Sequence, residues 1–191
     1  MNRIHNRLCS SGWWRHRVEE KLVPWGLEGV EMQPPVLEVG PGLGATTRVL
    51  AQRLAELEVL ELDEGYCRGL RTKLGETVRI TCGDATAMPY SDGQFSTVVC
   101  FTMLHHIPTR QLQDRAFAEV ARVLAPGGTF AGTDSVGTGL MFKLIHLGDE
   151  LMPLDPAALP RRLETAGLED VDVTRRDGTL RFRAHKSAVK S

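Results

Sequence analysis

The sequence lacks the features that would place it in a membrane, outside the cell or on nucleic acid. It has no run of about eighteen apolar residues, so we expect no transmembrane helix and no membrane partner. Its amino end has no apolar centre or cleavage pattern of a signal peptide, so the expected location is the cytoplasm. A formal net charge of −1 over 191 residues lacks the basic excess of a dedicated nucleic-acid binder. A nucleic-acid substrate is therefore not favoured.

Cysteine is scarce, and the four cysteines are scattered along the chain. They lack the paired spacing of a zinc site or of a disulfide framework, so neither is expected. Cys82 and Cys100 each end an apolar, strand-like run, which predicts that both are buried, reduced thiols. The His, Cys, Asp and Glu residues also lack the spacing of metal ligands, and no metal site is predicted.

An apolar run followed by a glycine-rich turn organises the chain. The run begins at Val36, Gly40, Gly42 and Gly44 follow at alternate positions, and a helical pattern begins at Ala45. Glycine permits a sharp bend and the close approach of a ligand, and the first N–H groups of a helix attract carboxylate or phosphate. This pattern predicts a cofactor site at the end of the first strand. It also fits the dinucleotide fingerprint of nicotinamide enzymes, so the motif alone leaves the cofactor open.

Strand and helix patterns alternate five times, which indicates an α/β fold with a doubly wound, mostly parallel sheet. The predicted strands begin at Val36, Glu58, Val78, Phe95 and Thr129. Acidic residues follow two of these strands at the edge where a ligand would bind. Glu61 and Asp63 end the second strand, and Asp84 follows the third.

The two ends of the chain carry further elements. An amphipathic helix is predicted from Gly12 to Leu22, and its adjacent Trp13 and Trp14 cannot share one face. One indole should therefore pack on the domain while the other covers a pocket mouth or is partly exposed. Asp155 and Pro156 predict the start of a late helix. Alternating residues around Asp177–Gly178 predict a terminal antiparallel hairpin, which a plain nicotinamide domain does not have.

Five landmarks in order resemble the class I S-adenosylmethionine-dependent methyltransferases, particularly the small-molecule enzymes of methyltransferase type 11. The landmarks are the Glu38–Gly44 loop, the acid ending the second strand, Gly83-Asp84-Ala85, Met103-Leu104-His105-His106 and the stretch from Arg122 to Gly128. The resemblance implies a seven-stranded Rossmann-like sheet and S-adenosylmethionine as cofactor, with S-adenosylhomocysteine as product. It also implies one domain over 1–191, with a helical cap (1–35), a cofactor-binding core (36–135) and a substrate-side segment with the hairpin (136–191).

The resemblance also assigns roles to individual residues. Glu61 would hold the ribose hydroxyls, with Asp63 as the alternative, and Asp84 would accept from the adenine amine. Leu62 and Met88 would lie on the two faces of the adenine. The full implied cofactor site is Glu38, Gly40, Pro41, Gly42, Gly44, Glu61, Leu62, Asp63, Gly83, Asp84, Ala85 and Phe101.

Methyl transfer from a sulfonium requires alignment of the acceptor, exclusion of water and, for a weakly acidic acceptor, removal of a proton. The candidate bases are His105 and His106, together with His146 and Asp149, which could pair as base and orienting group. His106, His146 and Asp149 are the predicted catalytic residues.

The acceptor is expected to be a small molecule. The Asn/Asp-Pro-Pro-Tyr type of motif, with which nucleic-acid amine methyltransferases grip their target, is replaced here by Phe101-Thr102-Met103-Leu104. Two alternatives stay open: an S-adenosylmethionine-binding protein without transferase activity, and an rRNA or other nucleic-acid methyltransferase. A monomer or homodimer is expected.

Overall fold

A computed structural model describes residues 7–137 and 151–188. Its centre is a seven-stranded sheet with the strand order β3-β2-β1-β4-β5-β7-β6. Strands β1 to β5 are parallel, and β7 pairs antiparallel with both β5 and β6, as predicted. The strands are β1 (Val36–Val39), β2 (Leu57–Glu61), β3 (Arg79–Cys82), β4 (Phe95–Phe101), β5 (Leu124–Ser135), β6 (Leu168–Arg176) and β7 (Thr179–Lys186).

Helices cover the sheet, and within the described ranges none is long and apolar enough to cross a membrane. They are α1 (Gly12–Arg17), α2 (Val23–Gly26), α3 (Ala45–Ala51), α4 (Glu64–Leu74), α5 (Arg110–Val123) and α6 (Leu159–Thr165), with a π-helical turn at Val18–Leu22 and 3₁₀ turns at Gly75–Thr77 and Leu104–His106.

The sheet separates two apolar cores. On one side Phe117 of α5 packs against Phe130 of β5, which in turn packs against Phe182 of β7. On the other side Val18 and Leu50 belong to a second buried cluster. Because the central strands are covered on both faces, they are continuous apolar runs rather than alternating ones. This is why their positions could be predicted from the sequence.

Side-chain caps and backbone angles set the ends of several helices and strands. The hydroxyl of Thr109 accepts from Leu112 N at 3.2 Å and caps α5 at its first turn. Asp177 and Gly178 both have positive φ, +50° and +76°, as a tight hairpin turn requires, which confirms the predicted hairpin.

Other boundaries differ from the predictions. The late helix begins at Leu159 rather than at Pro156, because the Asp155 carboxylate accepts from Ala157 N at 2.9 Å and closes a separate turn first. The amino-terminal helix is interrupted by the π-helical turn at Val18–Leu22. The fifth strand begins at Leu124, directly after α5, and not at Thr129.

Gly132 lies opposite Cys100 in the central β4–β5 pair, where a side chain has no room. A Cβ atom there would lie 1.8 Å from the Cys100 carbonyl oxygen. We expect Gly132→Ala to lower the free energy of unfolding by about 3 kcal/mol, because two central strands must separate. Urea denaturation measures this change.

The matched control is Gly69→Ala on α4, where a Cβ atom meets nothing within 4 Å. This variant should be unchanged or more stable by up to about 1 kcal/mol, because alanine favours helix. Equal unfolding midpoints for the two variants would contradict the close approach of β4 and β5.

Candidate cofactor and active site

A cavity of about 930 Å³ opens at the carboxyl edge of the sheet. It lies beside the ends of β1 and β4, where the strand order reverses, which is the usual ligand position in doubly wound sheets. Most of the predicted cofactor residues line it: Gly40, Pro41, Gly42, Glu61, Leu62, Asp63, Gly83, Asp84, Ala85 and Phe101. Glu38 and Gly44 lie behind this lining.

The glycine loop after β1 depends on positive φ angles. Gly40, Gly42 and Gly44 have φ of +68°, +55° and +78°. A Cβ atom on Gly40 would lie 2.1 Å from Met103 Cγ, and one on Gly44 would lie 2.5 Å from Leu70 Cδ2. Gly40 therefore lets the segment after β4 approach the loop, and Gly44 lets α3 pack against α4.

Glu61 links this loop to the end of β2. Its Oε2 accepts from Gly42 N and its Oε1 accepts from Asp63 N, each at 2.9 Å. The side chain is buried, yet it borders the cavity. Because each carboxylate oxygen can accept more than one hydrogen bond, Glu61 can still receive a pair of ligand hydroxyls.

Asp63 and Asp84 combine a local role with a position on the cavity. Asp63 caps α4 by accepting from Tyr66 N at 2.9 Å, and Asp84 accepts from Thr86 N at 2.8 Å within its turn. Both side chains are exposed and both border the cavity. Asp84 thus stabilises its own turn and also lies at the predicted ligand site.

The cavity is acidic. Its described lining includes Glu61, Asp63, Glu64 and Asp84 and contains no Lys or Arg. A cavity of this charge suits a cationic ligand with hydroxyl and amine donors. The described lining offers no Lys or Arg side chain to a pyrophosphate, so this set of hydrogen-bond acceptors fits S-adenosylmethionine better than a nicotinamide dinucleotide.

Glu38 links β1 to the start of α3. It is 1% exposed and accepts from the Thr46 hydroxyl at the start of α3, while its Oε2 has no hydrogen-bond partner among the described residues. Burial raises the pKa of this carboxyl to about 7, and the Thr46 hydrogen bond partly opposes that shift. The group is therefore close to its titration point at neutral pH.

The opposite wall of the cavity is fixed by Asp134 at the end of β5. This fully buried carboxylate accepts from Leu104 N at 2.7 Å, from His105 N at 3.3 Å and from the His105 ring through Nδ1. Its contacts set the turn that leaves His106 on the cavity wall. Of the predicted catalytic residues, His106 borders the cavity, and His146 and Asp149 lie outside the described residues.

Several lining residues were not predicted as site residues. Tyr66 of α4 borders the cavity. Its place in the first turn after Asp63 was the available signal. Trp14 also borders the cavity while Trp13 is 61% exposed, which is the division predicted for this pair.

Met88 lies in the buried core rather than in the described lining of the cavity. Its backbone is fixed from α5, because Met88 N donates to Glu119 Oε2 at 2.6 Å and Arg122 Nη2 donates to Met88 O at 3.0 Å. The position of Met88 in the sequence, four residues after Asp84, does not indicate these hydrogen bonds to α5. Leu62, the predicted partner on the other adenine face, is 70% exposed and borders the cavity.

The cysteine predictions need a correction. Cys82 is exposed, and it forms a disulfide with Cys67 of α4. The expectation of a buried, reduced Cys82 was wrong because β3 is an edge strand, which leaves Cys82 exposed, and because the disulfide joins the end of this strand to α4. Cys100 is a buried, free thiol, as predicted.

Comparisons with known proteins agree with this geometry. A family model described as a methyltransferase domain matches residues 37–132. A malonyl-[acyl-carrier protein] O-methyltransferase of Geobacter sulfurreducens is 40% identical over 108 residues, covering 54% of this chain and 39% of that protein. A ribosomal RNA small subunit methyltransferase A of Cupriavidus metallidurans is 25% identical over 183 residues, covering 86% of this chain and 66% of that protein. The chain thus spans less than two thirds of the length of these curated relatives.

A solved structure of an S-adenosylmethionine-dependent methyltransferase from Thermotoga maritima has the same fold. Its TM-score is 0.72 at 15% identity, with 98% of this chain and 100% of that chain covered. The sheet order and the glycine loop define the Rossmann-like methyltransferase fold. With the match over 37–132, the chain belongs to the class I S-adenosylmethionine-dependent methyltransferase family.

Glu38 predicts a pH dependence of stability. Its pKa is about 7 in the folded chain against an ordinary 4.5, so the folded state holds a proton that the unfolded state loses between these values. The free energy of unfolding should fall as pH rises from about 4.5 to about 7 and then level off, by about 3 kcal/mol in total. Glu38→Gln should remove this fall.

The measurement is urea denaturation of ligand-free protein at pH 5 and pH 8. Glu38→Gln should gain stability over the parent mainly at pH 8. Glu64→Gln is the matched control, because the Glu64 side chain is 84% exposed. An equal Glu38→Gln difference at both pH values would show that Glu38 does not titrate in this range.

Proposed function

We propose that this chain is an S-adenosylmethionine-dependent methyltransferase that acts on a small-molecule oxygen, nitrogen or carbon nucleophile. The observation that carries the proposal is the two-part lining of the cavity. One part holds the glycine loop and the carboxylates. The other part is apolar and is formed by Trp14, Met103, Ile107 and Leu112, with His106 beside it.

The acidic part is the proposed cofactor site. Glu61 would bind the two ribose hydroxyls, because its carboxylate is already oriented by Gly42 N and Asp63 N. Asp84 would accept from the adenine amine. The glycine loop and the start of α3 would lie against the amino-acid end, where free N–H groups favour a carboxylate. Bound S-adenosylmethionine supplies an activated methyl group on sulfur.

The apolar part is the proposed acceptor site. Trp14, Met103 and Leu112 would exclude water from the transferred methyl group and orient the acceptor in line with it. His106 would take the acceptor's proton where the acceptor is weakly acidic, since imidazole titrates near neutral pH. His146 and Asp149 stay predicted contributors from outside the described residues.

A small-molecule acceptor is favoured over RNA. The segment that would hold an exocyclic amine reads Phe101-Thr102-Met103-Leu104 and lacks the Asn/Asp-Pro-Pro-Tyr type of motif. The described cavity lining also carries no Lys or Arg that could pair with phosphates. These observations support a small acceptor even though several curated relatives are ribosomal RNA small subunit methyltransferases.

The cofactor site is tested by calorimetry with S-adenosylhomocysteine. We expect Glu61→Gln to weaken binding by about 1–3 kcal/mol, because a single amide oxygen cannot serve the ribose hydroxyls and both backbone N–H groups. Glu164→Gln, an exposed residue of α6 that is absent from the described cavity lining, should bind like the parent. A larger loss in Asp63→Asn than in Glu61→Gln would assign the ribose to Asp63, and preferential binding of a dinucleotide would refute the cofactor assignment.

The transfer is tested with S-adenosylmethionine labelled in the methyl group and fractionated cell extract. Label should enter the small-molecule fraction. We expect His106→Gln to slow that transfer by about 100-fold or more while cofactor affinity is unchanged. His16→Gln, an exposed histidine of α1, is the control. Label in RNA would refute the small-molecule acceptor, and cofactor binding without any transfer would favour a binding protein.

A further inference from the structure

The disulfide between Cys67 and Cys82 lies directly behind the proposed adenosine site. Its Cα atoms are 6.1 Å apart, within the usual range for a disulfide, and it joins α4 to the end of β3. Cys67 Sγ lies 3.4 Å from the carbonyl oxygen of Glu61, and Gly83 N donates to the same oxygen at 2.9 Å. The sulfur pair is thus in contact with the backbone that presents Glu61 and Asp84.

The two sulfurs have unequal environments. Cys82 is exposed, and Arg71 Nη2 lies 3.6 Å from its sulfur. A neighbouring guanidinium favours the thiolate, which is the reactive form of cysteine. Cys67 is fully buried, so a reagent from solvent meets Cys82 first. This is the arrangement of an attacking and a resolving cysteine.

The other cysteines are poorly suited to such chemistry. Cys100 is buried, which raises the pKa of its thiol well above its ordinary value. Burial also raises the pKa of Cys9, to about 11. Oxidation by a mild disulfide reagent should therefore be selective for the Cys67–Cys82 pair.

We propose that Cys67 and Cys82 are a reversible thiol–disulfide pair that exchanges with low-molecular-weight disulfides and sets the affinity of the adenosine site. The second half rests on the proposed function. In the oxidised state the bond ties the end of β3, and with it Gly83 and Asp84, to α4. In the reduced state this covalent link is absent. The segment must then become ordered when the ligand binds, and the loss of conformational entropy lowers the ligand affinity.

The exchange has two steps. The Cys82 thiolate attacks one sulfur of the disulfide reagent, forms a mixed disulfide and releases the first thiolate. The Cys67 thiolate then attacks Cys82 Sγ, closes the protein disulfide and releases the second. Two electrons pass from the cysteines to the reagent, and the two cysteine protons end on the two released thiols.

The first test uses the full chain equilibrated in buffers of reduced and oxidised glutathione, followed by thiol titration and mass spectrometry. Cys67 and Cys82 should convert together, with Cys9 and Cys100 unchanged. In Cys67→Ser, Cys82 should be trapped as a mixed disulfide with glutathione. A pair that stays reduced in excess oxidised glutathione, or a Cys82 that forms no mixed disulfide, would overturn the proposal.

The second test measures S-adenosylhomocysteine binding by calorimetry in the two states. Reduction should weaken binding by about threefold to tenfold. The double variant Cys67→Ser with Cys82→Ser should show one affinity with and without reductant. Equal affinities in the two states of the parent would overturn control of the cofactor site. Exchange of the pair without binding in either state would refute the proposed function and leave the thiol pair standing.

Discussion

The carboxylate of Glu61 is the contact on which the ligand edge of the sheet depends. Parallel β1 and β2 end side by side, and the chain must turn away from each end with its backbone N–H groups unpaired. Glu61 accepts one such N–H from the glycine loop, at Gly42, and one from the turn after β2, at Asp63. A buried carboxylate that receives both is held rigidly, and it is placed where a ligand would meet it.

Asp134 has the same role on the opposite wall of the cavity. It is fully buried at the end of β5 and receives the backbone N–H groups of Leu104 and His105. The segment before that turn carries Thr102, which has φ of +51° although it is not glycine. The cavity is therefore bounded by two segments, each tied to the sheet through a carboxylate. Neither Glu61 nor Asp134 could be exchanged for an apolar residue without leaving backbone N–H groups of these turns unpaired, and at Asp134 those N–H groups are buried.

Much of this arrangement could be predicted because it is encoded locally. The apolar run Phe95–Phe101 has the length and composition of a covered strand, and the Thr109 hydroxyl caps the start of α5. The glycine loop and the acid after β2 indicated the ligand edge for the same reason. The edge itself follows from the alternation of strands and helices.

The unpredicted features depend on tertiary contacts. Cys67 and Cys82 lie 15 positions apart in sequence, and they meet only because α4 folds back along the edge strand β3. Met88 is held in the core by Arg122 of the later helix α5, which donates a hydrogen bond to the backbone carbonyl oxygen of Met88. Asp155 has the side chain of a helix N-cap, but its carboxylate accepts from Ala157 N in a turn that precedes α6. The local sequence does not distinguish such a turn from the first turn of a helix.

The hairpin at Asp177–Gly178 also has a consequence for how the sheet is completed. Strand order places β7 between β5 and β6, so β6 has no place in the sheet until β7 has been synthesised. Until then the long β5 presents an open edge, which is the kind of surface that pairs with other chains. The tight turn at Asp177–Gly178 keeps β6 and β7 adjacent along the chain, so the two strands pair with each other while β7 pairs with β5. The two-residue turn thus lets one late segment of the chain cover the β5 edge and supply the final strand of the sheet.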